Sequence, residues 1–379
     1  MLLTSASEKP VGIDISELSL KLIQLNKSGD SIKIQAISQT EIAPGVIDDG
    51  EIKQRGELIK AFKKLLNSPQ YGQITSTDVT ACLPENKTFV KLIEIDSGPN
   101  NPADVIRIEM EKHIPLPIDE IYFDWQVISQ GQGKTLILLG AAPKTIVDSY
   151  TTLFDEIGMT AFALEIESSA ICRALLTEER PKQAMTQPYT YAILDIGANR
   201  TSMIVYSNQS ILFTVSLPIS GESVTQNIAD NLKIDRDQAE KAKIVCGLDE
   251  NKAQGVIKEI LSSLIDELVK KITEVTNYHQ LHFTDYPKIQ KIYLCGGGSN
   301  IDNIDKLLTE ALQVEVVLGD PMINLKENNE KINLIFSKKP QSETSKKINP
   351  DDYCLIKNPS LSFTTAIGLS LRGVFVNDI

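Results

Sequence analysis

"VGIDISELSLKLIQLN" spans residues 11–26, and its reading decides the architecture of the whole chain. An apolar strand ends in Asp14, a tight polar turn follows, and a second strand carries Lys21. A phosphate-binding β-hairpin begins this way, because the N–H groups of a tight turn can face an anion. The turn itself is Ser16-Glu17, where glycine would let the backbone come closest to a ligand. "SIKIQAISQTEI" (31–42) continues the alternation, so three strands with short connections form an antiparallel meander at one edge of a larger sheet. Half a chain later the pattern returns in "YAILDIGANRTSMIVYS" (191–207) and "SILFTVSLP" (210–218), again strand, Asp, polar turn and two strands. Two such meanders predict a duplicated α/β architecture.

Other elements fill in around them. "GELIKAFKKLLN" puts Leu58, Ile59, Phe62, Leu65 and Leu66 on one helical stripe, and "DVTACLP" reads as a buried strand stopped by Pro84. Residues 88–158 carry a separate βαββα pattern: strand "TFVKLIEI", helix "ADVIRIEMEKHI", strands "IYFDWQVI" and "TLILLGAAP", and helix "TIVDSYTTLFDEIG" closed by Gly158. "TAFALEIESSAICRALL" returns to strand and helix, and "ERPKQAMTQP" reads as a linker. After the second meander come helices around 222–247 and a long amphipathic helix over 254–282. "KIQKIYLCGGGSNI" then gives a buried strand, a glycine turn and the start of a helix that carries Ile304, Leu307, Leu308 and Leu312. Residues 326–352 read as a long exposed loop, and "SLSFTTAIGLSLRG" as a final apolar helix.

Composition narrows the function. With 379 residues the chain exceeds one compact core, and 42% hydrophobic with 23% charged residues predicts a soluble globular protein. A formal net charge of -12 argues against nucleic acid as a partner. No run of 18 or more apolar residues crosses a bilayer, and the leader "MLLTSASEKP" lacks the parts of a signal peptide. The 5 cysteines form no C-x-x-C pair, which suits buried thiols in a reducing cytoplasm.

Several loops carry candidate chemistry. "GQGKT" (131–135) resembles the end of a P-loop, but Ile128 stands where the first glycine belongs and a strand follows, so it reads as a hairpin turn. In "DIGANRT", Asp195 ends a buried strand and is placed to orient water around Mg²⁺, while Gly197 admits a ligand to the backbone; D-x-G is also common in plain turns. Gly296, Gly297 and Gly298 lie between strand and helix, where a base or ribose can rest on bare backbone; a tight loop capped by Ser299 or Asn300 is the simpler reading. Glu240 and Lys243 share a helix face, as a solvated pair or as partners of a ribose. Glu167, at a strand–helix junction beside Glu165, suits either water positioning or the positive end of a helix. His113, His279 and His282 assemble no metal or nucleophile set.

The order of these loops is more specific than any one of them. It follows the actin/Hsp70/sugar-kinase plan, and within it the chain resembles the PilM family of type IV pilus assembly proteins, relatives of the division protein FtsA. The resemblance rests on "GIDISELSLKLIQL", "EMEKHIPLPIDEIYFDWQVI", "LGAAPKTIVD", "EIESSAICRAL", "LDIGANRTSMIVY", "DQAEKAK", "LCGGGSNI" and "FTTAIGLSLRG". It implies an α/β, actin-like (ribonuclease H-like) two-lobed fold with an inserted 1C-type βαββα subdomain. Residues 1–87 and 159–187 would form the first lobe, 88–158 the insertion, and 188–379 the second lobe with its 2B part near 222–286. It also implies ATP and Mg²⁺ in the cleft. Asp14, Ser19 and Lys21 match the first phosphate loop, with Ser16 at its glycine position also placed against the nucleotide; Asp195, Gly197, Ala198, Arg200 and Thr201 fall in the second. Gly296, Gly297, Gly298 and Ser299 match the adenosine loop, and Glu240 and Lys243 the ribose helix. Asp14 and Asp195 would hold Mg²⁺ through water, with Glu167 as the catalytic candidate.

The implied role is a cytoplasmic adaptor at the inner membrane. It would bind the N-terminal cytoplasmic tail of PilN and connect it to the pilus motor and platform proteins, with no direct membrane insertion and oligomerisation left open. The family's first loop usually reads D-I-G-S-x-S-x-K, and Ser16 and Glu17 depart from it. A carboxylate 4 Å from a phosphate charge costs about 4 kcal/mol at an effective dielectric near 20, so binding is expected to outlast efficient hydrolysis. The alternatives are an actin-superfamily ATPase or kinase with real turnover, and an FtsA-like division scaffold. The acidic ending "LRGVFVNDI" speaks against the second, which ends in a basic amphipathic helix.

Overall fold

The computed structural model describes residues 9–29, 31–96, 102–114, 116–131, 133–176, 188–325, 335–336 and 357–375. Most of the leader, of the 179–188 linker and of the 326–352 loop, and the end of the acidic tail, lie outside these residues.

The first lobe is built on a six-stranded sheet. Strands β1 (Val11–Ile15), β2 (Ser19–Ser28) and β3 (Ser31–Glu41) form the antiparallel meander, with Asp14 opposite Lys21 in the β1–β2 register. A short hairpin, β4 (Ile47–Asp48) and β5 (Glu51–Ile52), precedes helix α1 (Arg55–Asn67), and β6 (Tyr71–Gly72) edges β3. On the other side β7 (Asp78–Leu83) pairs in parallel with β1, and β11 (Thr160–Ile166) in parallel with β7. The order is β11-β7-β1-β2-β3-β6.

The second lobe repeats this plan. Strands β12 (Thr190–Ile196), β13 (Thr201–Ser207) and β14 (Ser210–Leu217) form the meander, then β15 (Lys291–Cys295) and β16 (Glu315–Leu318) add in parallel, giving β14-β13-β12-β15-β16. Helices α5 (Gly221–Leu232), α6 (Arg236–Cys246), α7 (Val256–His282) and α8 (Ile304–Leu312) belong to this lobe. Both α5 and α6 start in capping boxes, Ser220 with Ser223 and Asp235 with Gln238, which satisfy the first orphan N–H groups. Along α7, Ile257, Leu261, Ile265, Leu268, Ile272 and Val275 are buried at helical spacing against the sheet.

Between the lobes' segments, β8 (Phe89–Asp96), α2 (Pro102–His113), β9 (Ile121–Gly131), β10 (Lys134–Pro143) and α3 (Lys144–Glu156) follow in the expected order. The sheet is β8-β10-β9, and "GQGKT" falls at the β9–β10 turn. Its small core joins Ile93, Ile106, Met110, Ile137 and Leu139. Helix α3 does not share that core. Tyr150, Leu153 and Phe154 pack with Leu58, Phe62 and Leu65 of α1 in the first lobe, and Phe62 meets Phe154 edge to face at 6.1 Å.

Helices α4 (Glu167–Leu175) and α9 (Thr364–Phe375) pack together against β1 and β7 of the first sheet, so the last helix sides with the first lobe and not with the rest of 188–379. Close approach requires glycine here: a Cβ on Gly12 of β1 would sit 2.4 Å from Ala366 O, and one on Gly368 1.9 Å from Ala170 O. The predicted exposed loop also needs correction at one point, since Phe336 is buried and its ring lies 4.8 Å from that of Phe363.

Candidate functional site

Both meander turns face one cleft. Its space of about 480 Å³ is lined at one end by Asp14, Ser16, Ser19, Lys21, Glu167, Asp195, Gly197 and Ala198. Gly296, Gly297, Gly298, Ile244, Ile301 and Pro359 add a more apolar wall, which begins beside Asp195 at Gly296. Glu240 and Lys243 line the side. Of the residues the sequence singles out, Arg200, Thr201 and Ser299 are not on this lining. Thr201 is fully buried in β13, Ser299 turns its hydroxyl to the Cys295 carbonyl, and Arg200 stands at the outer rim.

The first turn is closed by its own serines. Ser16 N–H donates to Ser19 O at 3.0 Å, and Ser16 Oγ donates to the same oxygen at 2.9 Å. Glu17 points out of the cleft. Its carboxylate accepts from Asn199 Nδ2 and, at 3.4 Å, from Arg200 on the opposite lobe. The repulsion expected inside the cleft is therefore displaced to its rim.

Three carboxylates meet at the polar end. Lys21 Nζ donates to Asp14 Oδ2 at 3.4 Å, and the ligand atoms of Asp14, Cys82 and Glu167 all lie within 4.8 Å of one another. Burial and the Asp14 charge push the Asp195 carboxyl up to about 6. Burial, Asp195 and Asp14 push Glu167 well above the usual carboxylate range. Such shifts mark negative charge that the protein's own cations leave unneutralised. Hard oxygen donors around that charge suit a divalent cation such as Mg²⁺. The Cys82 thiol, forced upward by burial and then by Glu167, stays protonated and adds no charge.

Glu167 begins α4 and accepts from Thr365 Oγ1 of α9 at 3.4 Å. Thr365, Thr364 and Ser362 line the cleft and were missed as candidates, although "FTTA" was visible as the start of the last helix. Arg236 and Glu222 were missed as well; they pair at 2.6 Å on the α5–α6 side. Glu165 has a different task from Glu167. It is buried and holds Arg173 at 2.7 and 2.9 Å and Arg372 at 2.7 Å.

Lys243 is buried and already engaged. Its Nζ donates to Gly221 O at 3.1 Å and Thr225 Oγ1 at 2.8 Å, and lies 2.6 Å from Glu240. The pair therefore fixes α6 to α5 and offers a ligand the flank of a rigid wall. The glycine triplet forms a 3₁₀ turn, Gly297–Asn300, and α8 starts only at Ile304, so the α-helix does not point directly at the glycines as expected. Gly296 lies against Asp195: a Cβ there would be 2.3 Å from Asp195 Oδ1. A Cβ on Gly297 would have Ser362 Cβ, at 4.0 Å, as its nearest neighbour. That position faces open cleft. His279, buried with neither ring nitrogen bonded, stacks on Phe213 and Phe283 in the second lobe and plays no part.

A second groove, of about 380 Å³, runs beside the small subdomain between β9 and β11. Phe123, Trp125, Leu138, Leu164 and Ile166 give it an apolar lining, and Arg173 and Arg372 lie along it over Glu165.

The family model of type IV pilus assembly protein PilM matches residues 12–374. The chain belongs to the PilM family. Among solved structures, a PilM-PilN type IV pilus biogenesis complex superposes with a TM-score of 0.74 at 21% identity, covering 97% of this chain and 98% of that one. The ethanolamine utilization protein EutJ of Carboxydothermus hydrogenoformans gives a TM-score of 0.50 at 15% identity, over 86% of this chain and 89% of that chain. The fold is thus actin-like, the first of the sequence expectations to be met. Cell division protein FtsA of Streptococcus pneumoniae is 23% identical over 82% of this chain and 75% of its own length. FtsA of Neisseria meningitidis is 22% identical over 61% of this chain, which spans 63% of that protein's length. Among the described residues no helix is long and apolar enough to cross a membrane.

Proposed function

We propose that this PilM-family protein is a cytoplasmic ATP-binding adaptor of the type IV pilus inner-membrane complex, one that takes the N-terminal tail of PilN and links it to the motor. The observation that carries the nucleotide part is the convergence of both meander turns and the glycine turn on one carboxylate-lined cleft. Asp14 and Asp195 would hold Mg²⁺ through water, Lys21 and the turn N–H groups the phosphates, and Gly297 with Ile244 and Ile301 the base. Bound Mg²⁺ supplies charge neutralisation for the phosphates and carboxylates alike. Burial, Asp195 and Asp14 hold the Glu167 carboxyl toward its protonated form, so little free carboxylate is present in the ligand-free cleft to take a proton from water, which favours holding over rapid turnover.

The partner part rests on the groove beside β9, which suits an extended segment with apolar side chains, and on the similarity to the solved PilM-PilN complex. Binding needs only unequal affinity between conformations, not turnover. Calorimetry tests both parts. ATP with Mg²⁺ should bind and Asp195→Ala should abolish that binding, while turnover stays slow; rapid, sugar-dependent ADP release would refute the adaptor. A synthetic PilN N-terminal peptide should protect residues 122–126 and 164–166 from hydrogen exchange. No binding at high peptide concentration would sink the pilus partner.

A further inference from the structure

The two phosphate-loop turns do more than face each other. Glu17 leaves the β1–β2 turn and its side chain is 21% exposed; Arg200 leaves the β12–β13 turn and is 31% exposed. Asn199 Nδ2 and Arg200 both donate to the Glu17 carboxylate. Arg200 also lies 3.6 Å from Asp49, which Lys87 holds at 2.7 Å. The Gly197 N–H is tied to the Arg200 carbonyl at 2.9 Å, and the Gly197 and Ala198 carbonyls accept from Gly221 and Glu222, so the second turn is preformed and presents the Asn199 and Arg200 side-chain donors at its tip. Those donors already serve a carboxylate from the other lobe.

Resting on the nucleotide reading above, we infer that Glu17 is an internal competitor for the outermost phosphate. With the base at the glycine end, the phosphate chain runs toward the meander turns, and its last phosphoryl group arrives at their tips. Carboxylate and phosphoryl oxygens accept from the same amide and guanidinium donors. A diphosphate, one phosphoryl group shorter, makes less demand on them. A triphosphate has to displace Glu17 from Asn199 and Arg200, and meets its charge as it does so. Glu17 therefore lowers the preference for ATP over ADP and keeps the two lobes tied at the rim when no nucleotide is present.

The test is calorimetric titration of wild type, Glu17→Gln and Asn199→Ala with ATP and with ADP, each with Mg²⁺. Half-exposed pairs of this kind are worth enough to move a binding ratio about five-fold. Glu17→Gln is expected to raise the ATP:ADP affinity ratio by about that factor, and to speed ligand-free hydrogen exchange over residues 197–201. Asn199→Ala, which removes a shared donor, is expected to speed the same exchange without raising the ratio. An unchanged ratio in Glu17→Gln with normal binding of both nucleotides overturns the competition alone. Failure of every protein to bind either nucleotide overturns the cleft assignment and this inference with it.

Discussion

The glycine turn allows a sharp trial of the cleft geometry, because its three glycines should respond differently to one added methyl. Gly296 has φ +80° and ψ 165°, a region essentially restricted to glycine that costs a residue with a Cβ about 1–2 kcal/mol or more. Its Cβ would also press on Asp195 Oδ1 at 2.3 Å and Ile196 O at 2.5 Å, and overpacking of this sort adds about 1–3 kcal/mol. Gly296→Ala should therefore destabilise by about 2–5 kcal/mol. Gly298→Ala lacks the backbone penalty but meets Ile196 Cγ2 at 2.3 Å, which predicts about 1–3 kcal/mol. Gly297→Ala has only Ser362 Cβ, at 4.0 Å, and should change stability by no more than about 0.5 kcal/mol. Its methyl projects into the cleft instead, so it should weaken nucleotide binding while the other two lose folding first. The assay is guanidinium denaturation followed by far-ultraviolet circular dichroism. Fluorescence is the wrong probe, since the single tryptophan, Trp125, reports on the small subdomain. A two-lobed chain need not unfold in one step, so the second lobe's own transition should be read. The reasoning fails if Gly297→Ala unfolds as early as Gly296→Ala, or if Gly296→Ala matches wild type.

Two further outcomes follow from the charges. Asp195 is raised from 3.8 to about 6, so the folded state binds its proton more tightly than the unfolded chain does. That contribution is complete below about pH 4 and is lost as pH rises through about 6; Glu167, also raised, acts in the same sense. Ligand-free protein should lose melting temperature from about pH 4 to at least about pH 6, and Asp195→Asn should flatten the profile; a flat wild-type curve would contradict the cluster. At the base of the groove, Glu165→Ala removes a buried carboxylate that accepts three charge-assisted hydrogen bonds and should cost about 3 kcal/mol or more in urea titration, whereas Arg372→Ala, 36% exposed, should cost about 1 kcal/mol or less. Equal losses would mean that the burial is misjudged.

What was legible in the sequence was whatever local chemistry encodes. Alternating strands around Asp14 and Asp195 exposed both meanders, and helical spacing in α1 and α7 exposed their buried faces. Strand β16 escaped because "EVVL" is only 4 residues long and its pairing with β15 is purely tertiary. Helix α3 follows the subdomain strands in sequence, yet Phe154 finds Phe62 in the first lobe, a choice made by shape rather than by pattern. The same limit governs the site. Asp14, Lys21, Asp195 and the glycines announced themselves through turn chemistry. Thr365 did not, since its contact with Glu167 spans 198 positions. Nor could spacing reveal that Glu17 turns outward toward Asn199, or that Lys243 spends its donors on Gly221 and Thr225.

The contacts that join the lobes differ in kind from one end of the cleft to the other. At the base, Ile171 and Leu175 of α4 are buried with Ile193, Ile204 and Ile211 of the second lobe, a dry apolar seam that salt does not loosen. At the rim, Glu17, Asn199, Arg200 and Asp49 are partly exposed and their ion pairs are worth less than about 1 kcal/mol each. Relative motion of the lobes is therefore cheapest as an opening at the rim about a fixed base. The groove beside β9 lies wholly on the first lobe and the small three-stranded sheet, so rim opening alone does not touch its walls. The subdomain has its own purchase on the second lobe: Leu92 of β8 packs against that lobe's core, beside β14. Coupling between a nucleotide in the cleft and a peptide in the groove must use that contact or the α4–α9 layer beneath both sites, because coupling requires an element that both ligands bias. Glu165, which ties β11 to α4 and α9, stands where the second of these routes passes.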